Sequence, residues 1–310
     1  MPNKRDLQPL GRAMELRHIR YFVAVAEQLH FARAAELLGI SPPTLSVQVK
    51  ELEATLQARL FSRTKRSVTL TPAGEAFLVE SRVLLAQAER ALRVGRRAGR
   101  GEIGRIQIGY VASAVFSGLL QDLVRTYRAA WPDVMVNVKE SPMDELAAML
   151  EDGRIDIAFM RMPVALPPSL ASQVLVRDRF CVALSTEHPL SRSAQRLHSK
   201  AMAYEAFVVP EQEFGLLEVA RRGRFSPRVA SSPGGLLAVL THVSLGTGIA
   251  IVPSVLTQLS GFPNVVFREL AGAPIASEVA AVFRRYEKSA PVQHLIEQMR
   301  LTPPVSKRAA

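Results

Sequence analysis

Apolar positions recur at helical spacing through the first hundred residues, then contract into short runs separated by amphipathic stretches. Leu16, Ile19, Phe22, Val23, Ala26 and Leu29 predict a helix over residues 16–29. Ala34, Ala35, Leu37 and Leu38 predict a second over 32–38, closed by Gly39 as a C-terminal stop. Ser41 reads as the cap of a third helix, with Pro42 at its first position and Leu45, Val49, Leu52 and Leu56 as its apolar stripe. Two short strands follow, at 60–61 and 68–70, with the basic tip Arg63-Thr64-Lys65-Arg66 between them. Thr71 then caps a long helix that begins at Pro72 and carries Glu75 in its first turn.

That helical pattern continues to Arg97, for a length of roughly 39 Å. Leu78, Leu85 and Leu92 recur every seven residues beside a row of small residues, Ser81, Ala88 and Gly95. Large residues facing small ones suit close packing on another helix, most simply a symmetry mate. Packing on the same chain's globular part is the alternative. Residues 96–101 read as a hinge.

Beyond Arg105 the period alternates. Apolar runs at 106–111, 134–138, 155–160, 180–184, 207–209, 249–252, 265–270 and 279–284 predict strands. Amphipathic stretches at 117–130, 143–150, 216–222, 236–243 and 292–299 predict helices. Alternation of this kind predicts an α/β fold with a parallel sheet and helices on both faces. A break at 163–168 divides the stretch into two subdomains, and a small ligand suits the crevice between them.

Composition narrows the class. With 310 residues and 48% hydrophobic content the chain is long enough for two or three domains. One cysteine rules out a disulfide scaffold and a cysteine metal cluster, and suits a reducing compartment. No apolar run reaches signal-peptide or transmembrane length, so a cytoplasmic, non-membrane protein is expected. Residues 1–13 lack periodicity and read as a disordered leader, with Met14 opening the patterned sequence. The net charge of +11 is uneven. Residues 1–101 hold 17 Lys and Arg against 9 Asp and Glu, leaving 22 and 19 for the rest. A basic third joined to a near-neutral remainder points to an anionic polymer at one end.

The block Phe31–Lys50 has helix-turn-helix spacing: FARAAELL, a glycine turn, then SPPTLSVQVK. Ala34 and Ala35 permit close helix approach, and the second helix presents its N-terminal residues to base edges. Thr44, Ser46 and Gln48 are hydrogen-bonding groups near that end. Arg33, Lys50, Arg63, Lys65 and Arg66 are placed for phosphates. The basic strand–strand tip completes a wing.

These residues, from MELRHIRYFV at Met14 through LFSR and LTPAG to about Leu78, resemble the amino-terminal domain of LysR-type transcriptional regulators. GRIDIAF at 153–159, EHPL at 187–190 and LGTGIAIVP at 245–253 extend the resemblance downstream. It implies a ligand-responsive DNA-binding regulator and no enzyme. The implied architecture is an N-terminal winged helix-turn-helix at 14–71, a linker and dimerisation helix at 72–101, and an effector domain at 102–302. That domain would be two-subdomain and periplasmic-binding-protein-like, with subdomain I at 102–162 and 268–302 and subdomain II at 163–267. A tail occupies 303–310. Operator DNA, RNA polymerase, and homodimer or homotetramer partners are implied, with Leu78, Leu85 and Leu92 in the pairing helix. The implied DNA-facing set is Phe31, Arg33, Ser41, Pro43, Thr44, Ser46, Gln48, Lys50, Arg63, Lys65 and Arg66.

The family commonly has Gln where this chain has Pro42, which removes a base-reading amide. Pro43, Ser113 and Arg161 resemble the subgroup that governs aromatic degradation, in which the serine and arginine lie at or near the effector. That implies a small organic anion, an aromatic acid or its ring-cleavage product, at Ser113, Met143, Arg161 and Phe214, and control of a catabolic operon. Physically, Ser113 before a helix offers hydroxyl and N–H groups to a carboxylate, and Arg161 adds a charge-assisted pair or serves as a structural ion pair. Met143 stands where the subgroup often has Thr.

No cofactor or metal is expected. The six histidines are scattered, Gly234-Gly235 and Gly246-Thr247-Gly248 lack phosphate-loop spacing, and Cys181 sits in an apolar run as a core residue. Two other readings remain open: a DNA-binding regulator without a small-molecule effector, and an α/β enzyme or solute-binding domain carrying a helical dimerisation module.

Overall fold

The computed structural model describes residues 14–64, 67–192, 195–258 and 261–306. The chain divides into two compact units, Met1–Arg96 and Arg97–Ala310. Lys65 and Arg66, the 1–13 leader and the end of the tail lie outside the described residues.

The first unit holds α1 (Leu16–Gln28), α2 (Phe31–Leu38), α3 (Pro42–Thr55), the hairpin strands β1 (Phe61–Arg63) and β2 (Val68–Leu70), and α4 (Pro72–Gly99), which runs on into the second unit. Its punctuation follows local chemistry. Gly39 closes α2 at φ +66°. The Ser41 hydroxyl accepts the Thr44 N–H at 3.3 Å ahead of Pro42. Thr71 Oγ1 accepts the Gly74 N–H at 3.0 Å. Gly74 has no room for a side chain, because a Cβ there would lie 2.1 Å from the Leu60 carbonyl oxygen. The core gathers Ile19, Phe22, Ala34, Leu45, Val49, Leu52 and Leu60.

Along the row expected to pair, Leu78 and Leu85 are half-buried and pack against this same core. Leu92 is 54% exposed, and Val79, Val83 and Val94 supply a second exposed apolar stripe.

The second unit comprises β3 (Gly104–Tyr110), α5 (Ala112–Val115), α6 (Leu119–Ala130), β4 (Val134–Glu140), α7 (Met143–Glu151), β5 (Ile157–Met162), β6 (Leu170–Ser185), β7 (Ala206–Pro210), α8 (Phe214–Gly223), β8 (Arg228–Gly234), α9 (Leu236–Ser244), β9 (Ala250–Pro253), β10 (Val265–Glu269), β11 (Ala276–Arg284), α10 (Ala290–Leu301) and β12 (Val305–Ser306). Two lobes share one long strand. In the first lobe the order is β6-β11-β5-β3-β4, with α6, α7 and α10 packed into its core. In the second, the far end of β6 pairs with β9 and β10, and β7 and β8 add a parallel pair.

Two expectations change. The sheet is mixed: β3 runs parallel to β4 and β5, whereas β11 is antiparallel to β5 and β6. The lobe boundary is also not at residue 163. β6 pairs with β11 as far as Arg179 before it enters the second lobe at Phe180, so residues 170–179 belong to the first. The return crossing lies between β10 and β11. Among the described residues no helix is long and apolar enough to cross a membrane.

Candidate functional site

In α3, Leu45, Val49 and Leu52 are buried, which turns the opposite face outward. Ser41, Pro43, Thr44 and Lys50 are exposed. Ser46 and Gln48 lie on the flanks and are already bonded. His18 Nδ1 accepts the Glu15 N–H at 3.1 Å, so the neutral ring carries its proton on Nε2 and donates to Gln48 Oε1 at 3.1 Å. Gln48 Nε2 in turn donates to Glu51 Oε2 at 2.7 Å. The Gln48 amide is thereby held in one orientation by a neighbouring helix.

Arg63 on β1 is similarly engaged. Its guanidinium lies 4.5 Å from the Phe31 ring centroid, donates to Glu53 Oε2 at 3.1 Å and reaches Ser46 Oγ at 3.4 Å. Glu53 Oε1 also accepts the N–H groups of Leu60 and Phe61, at 2.8 and 3.1 Å, so one carboxylate ties the wing to α3. Phe31 therefore acts as a platform against Phe61 and Arg63. Arg33 is exposed on α2, whose N-terminus is capped by the His30 ring accepting the Arg33 N–H. The fixing roles of His18 and Glu53 have no local sequence signature, since their partners Gln48 and Arg63 are brought close by folding, whereas His30 caps α2 locally but is not one of the usual capping residue types.

In the second unit, Ser113, Met143 and Arg161 come together on one cleft between the lobes, faced by Phe180, Pro210, Gln212, Leu236 and Pro253. Its cavity measures about 50 Å³, room for a few waters and too small for an aromatic ring. Phe214 is not on this cleft. It lines a separate hollow with Met162, Pro163, Val174 and Pro274, and packs at 6.3 Å on Phe180.

Arg161 is 1% exposed and is not a free cation. Nη1 donates to Ser277 Oγ at 2.9 Å, to the Ser277 carbonyl at 3.2 Å and to Asp178 Oδ2 at 3.4 Å; Nη2 donates to the Ser113 carbonyl at 3.2 Å. Its Nε–H is buried with no partner. Burial pulls the guanidinium pKa down to about 10, with the Asp178 charge opposing that shift. Asp178 also accepts from Ser254 Oγ at 2.5 Å and from the N–H groups of Arg179 and Val255 at 2.8 and 3.2 Å. Since Ser254 and Val255 follow β9, this network joins the two lobes.

Ser113 lies inside the four-residue α5, and its carbonyl rather than its hydroxyl meets Arg161. So short a helix provides little of the terminal field that the sequence suggested for an anion there. Cys181 is buried in β6, where burial pushes its thiol pKa up.

Residues 16–75 match the family described as bacterial regulatory helix-turn-helix protein, lysR family, and residues 99–302 match the LysR substrate binding domain. The chain is 37% identical over 273 residues to the uncharacterized HTH-type transcriptional regulator YnfL of Escherichia coli (strain K12), covering 86% of this chain and 89% of that one. It is 34% identical over 289 residues to the HTH-type transcriptional regulator BudR of Raoultella terrigena, covering 92% and 99%. The solved structure of full-length CbnR complexed with its target DNA shares the fold, with a TM-score of 0.75 at 24% identity over 93% of this chain and 99% of that one.

Proposed function

Starting from a chain that belongs to the LysR family of DNA-binding transcriptional regulators, we propose that a small organic anion switches it, seated between the two lobes at Ser113, Met143 and Arg161. The observation that carries this reading is the buried Arg161 Nε–H, left without a partner on a residue that lines the cleft. A carboxylate there gains a charge-assisted bond that the free protein lacks. Phe180 and Leu236 suit an aromatic or unsaturated acid, and a catabolic operon is the matching target. The cavity of about 50 Å³ requires the lobes to part for such a ligand, so binding and lobe movement are coupled.

The protein acts in the cytoplasm on operator DNA as a homodimer or homotetramer and works through RNA polymerase. Pairing uses the exposed Val79, Val83 and Val94 stripe of α4 together with Leu92. Ser41, Pro43, Thr44, Lys50 and Arg33 face DNA directly, Lys65 and Arg66 contact phosphate, and Ser46, Gln48, Arg63 and Phe31 hold the reading surface in shape.

Thermal denaturation against benzoate, muconate and aliphatic carboxylates tests the anion. A ligand at 100 times its Kd adds about 2.7 kcal/mol of stability. Titration calorimetry should then show weaker binding in Ser113→Ala and Met143→Ala, and unchanged affinity in both refutes the cleft. The small cavity favours a second reading, a regulator without a small-molecule effector, which predicts no stabilisation by any acid of the panel.

A further inference from the structure

With Leu45, Val49 and Leu52 inward, the helical period of α3 puts Pro43 and Val47 at the middle of its outward face, with Lys50 beside them. Val47 is 52% exposed. The hydrogen-bonding side chains on either flank, Ser46 and Gln48, already have protein partners. The centre of the reading face is thus an apolar, β-branched side chain, held to one rotamer in a helix.

Such a side chain offers no hydrogen bond to a base edge. What it recognises is the one apolar group that the major groove displays, the C5-methyl of thymine. We propose that Val47 is a specificity-determining residue of α3, packing on a thymine C5-methyl in each half-site, with Pro43 one turn earlier extending the same apolar strip. Lys50 lies on the same side and supplies charge for phosphate. The inference rests on the reading of α3 as the base-reading helix.

The test begins with the full-length chain selecting sites from random duplex DNA at fixed salt. Each thymine of one selected half-site is then replaced in turn by deoxyuridine, which keeps every hydrogen-bonding group and lacks only the methyl. At one thymine affinity should fall about four-fold, the factor that burial of one CH₂ group corresponds to. Val47→Ala should bind the thymine duplex more weakly and be indifferent to deoxyuridine at that position, whereas Lys50→Ala should keep the deoxyuridine loss. The exposed position of Val47 allows the variant to fold, which unchanged helicity by circular dichroism verifies. No sensitive thymine in the unmodified protein, or a full-sized deoxyuridine loss in Val47→Ala, overturns the proposal. Failure of the unmodified protein to select any site overturns the base-reading role of α3 itself.

Discussion

Neutralising Asp178 isolates a buried charge at the junction of the two lobes. Asp178→Asn preserves shape but leaves Arg161, 1% exposed, without a counter-ion. Its remaining partners are the Ser277 hydroxyl and carbonyl and the Ser113 carbonyl. Removing one partner of a buried ion pair typically costs about 3–5 kcal/mol. Arg161→Met does the reverse and leaves Asp178 with three donors: the Ser254 hydroxyl and the N–H groups of Arg179 and Val255. Bonds of that kind to a charged group are worth about 1.5–3 kcal/mol each, so this variant should lose less, about 2–3 kcal/mol. The double variant should lose at least about 1.5 kcal/mol less than the sum, because neither charge is stranded. The single tryptophan, Trp131, stacks on His294 at 4.2 Å and makes fluorescence a reporter of the second unit. With a urea slope of about 3 kcal/mol/M, Asp178→Asn should shift the midpoint down by about 1–1.7 M. Losses below about 1 kcal/mol in both single variants, or strict additivity in the double, would refute the account of a mutually dependent pair.

Lys50→Ala should weaken binding to all duplexes alike and lower the salt slope by about one, measured by fluorescence anisotropy across salt concentrations; an unchanged slope removes Lys50 from the phosphate contacts. Val83→Asp puts a charge into the exposed stripe of α4 and should shift the species seen by light scattering toward monomer, while a fully assembled variant would clear that stripe of a pairing role. Tyr127 is buried, donates to the Pro291 carbonyl at 2.8 Å, and has its pKa raised by burial to about 12 from an ordinary 10. Between those values the unfolded chain gives up the proton and the folded one keeps it, so stability should fall as pH rises through that window. Tyr127→Phe should flatten that fall, and an unaltered pH profile in the variant would contradict the assignment.

Local punctuation was readable in the sequence because each signal lies within a few residues of what it controls: Gly39, Ser41 with Pro42, and Thr71 with Pro72 all end or begin helices as their chemistry dictates. The long strand β6 was legible only at 180–184, since Arg177, Asp178 and Arg179 interrupt its apolar run where it passes between lobes. β8, with Ser231, Ser232 and Gly234, carries too few branched or aromatic residues to read as a strand. The third helix and the second hairpin strand fall where the pattern put them, while the first strand, expected at 60–61, runs over Phe61–Arg63 and takes in Arg63 from the expected tip. The bonds that occupy Arg63, Ser46 and Gln48 were not legible. Those partners are fixed only when α1, α3 and β1 meet. The partner of Arg161 was illegible for the same reason: a structural ion pair was one of its two readings, but Asp178, 17 positions on, meets it only on folding.

The interleaving of the first lobe has a consequence for the order of synthesis. Its sheet needs β11 between β5 and β6, and its core needs α10, so it cannot close until α10 has emerged from the ribosome. The core of the first unit, by contrast, is complete once α4 has emerged. Roughly two hundred residues separate the two events, which at about 5–20 residues per second is on the order of 10–40 s. Every newly made molecule therefore passes through an interval in which its DNA-binding unit is assembled while the lobe that carries Arg161 is not.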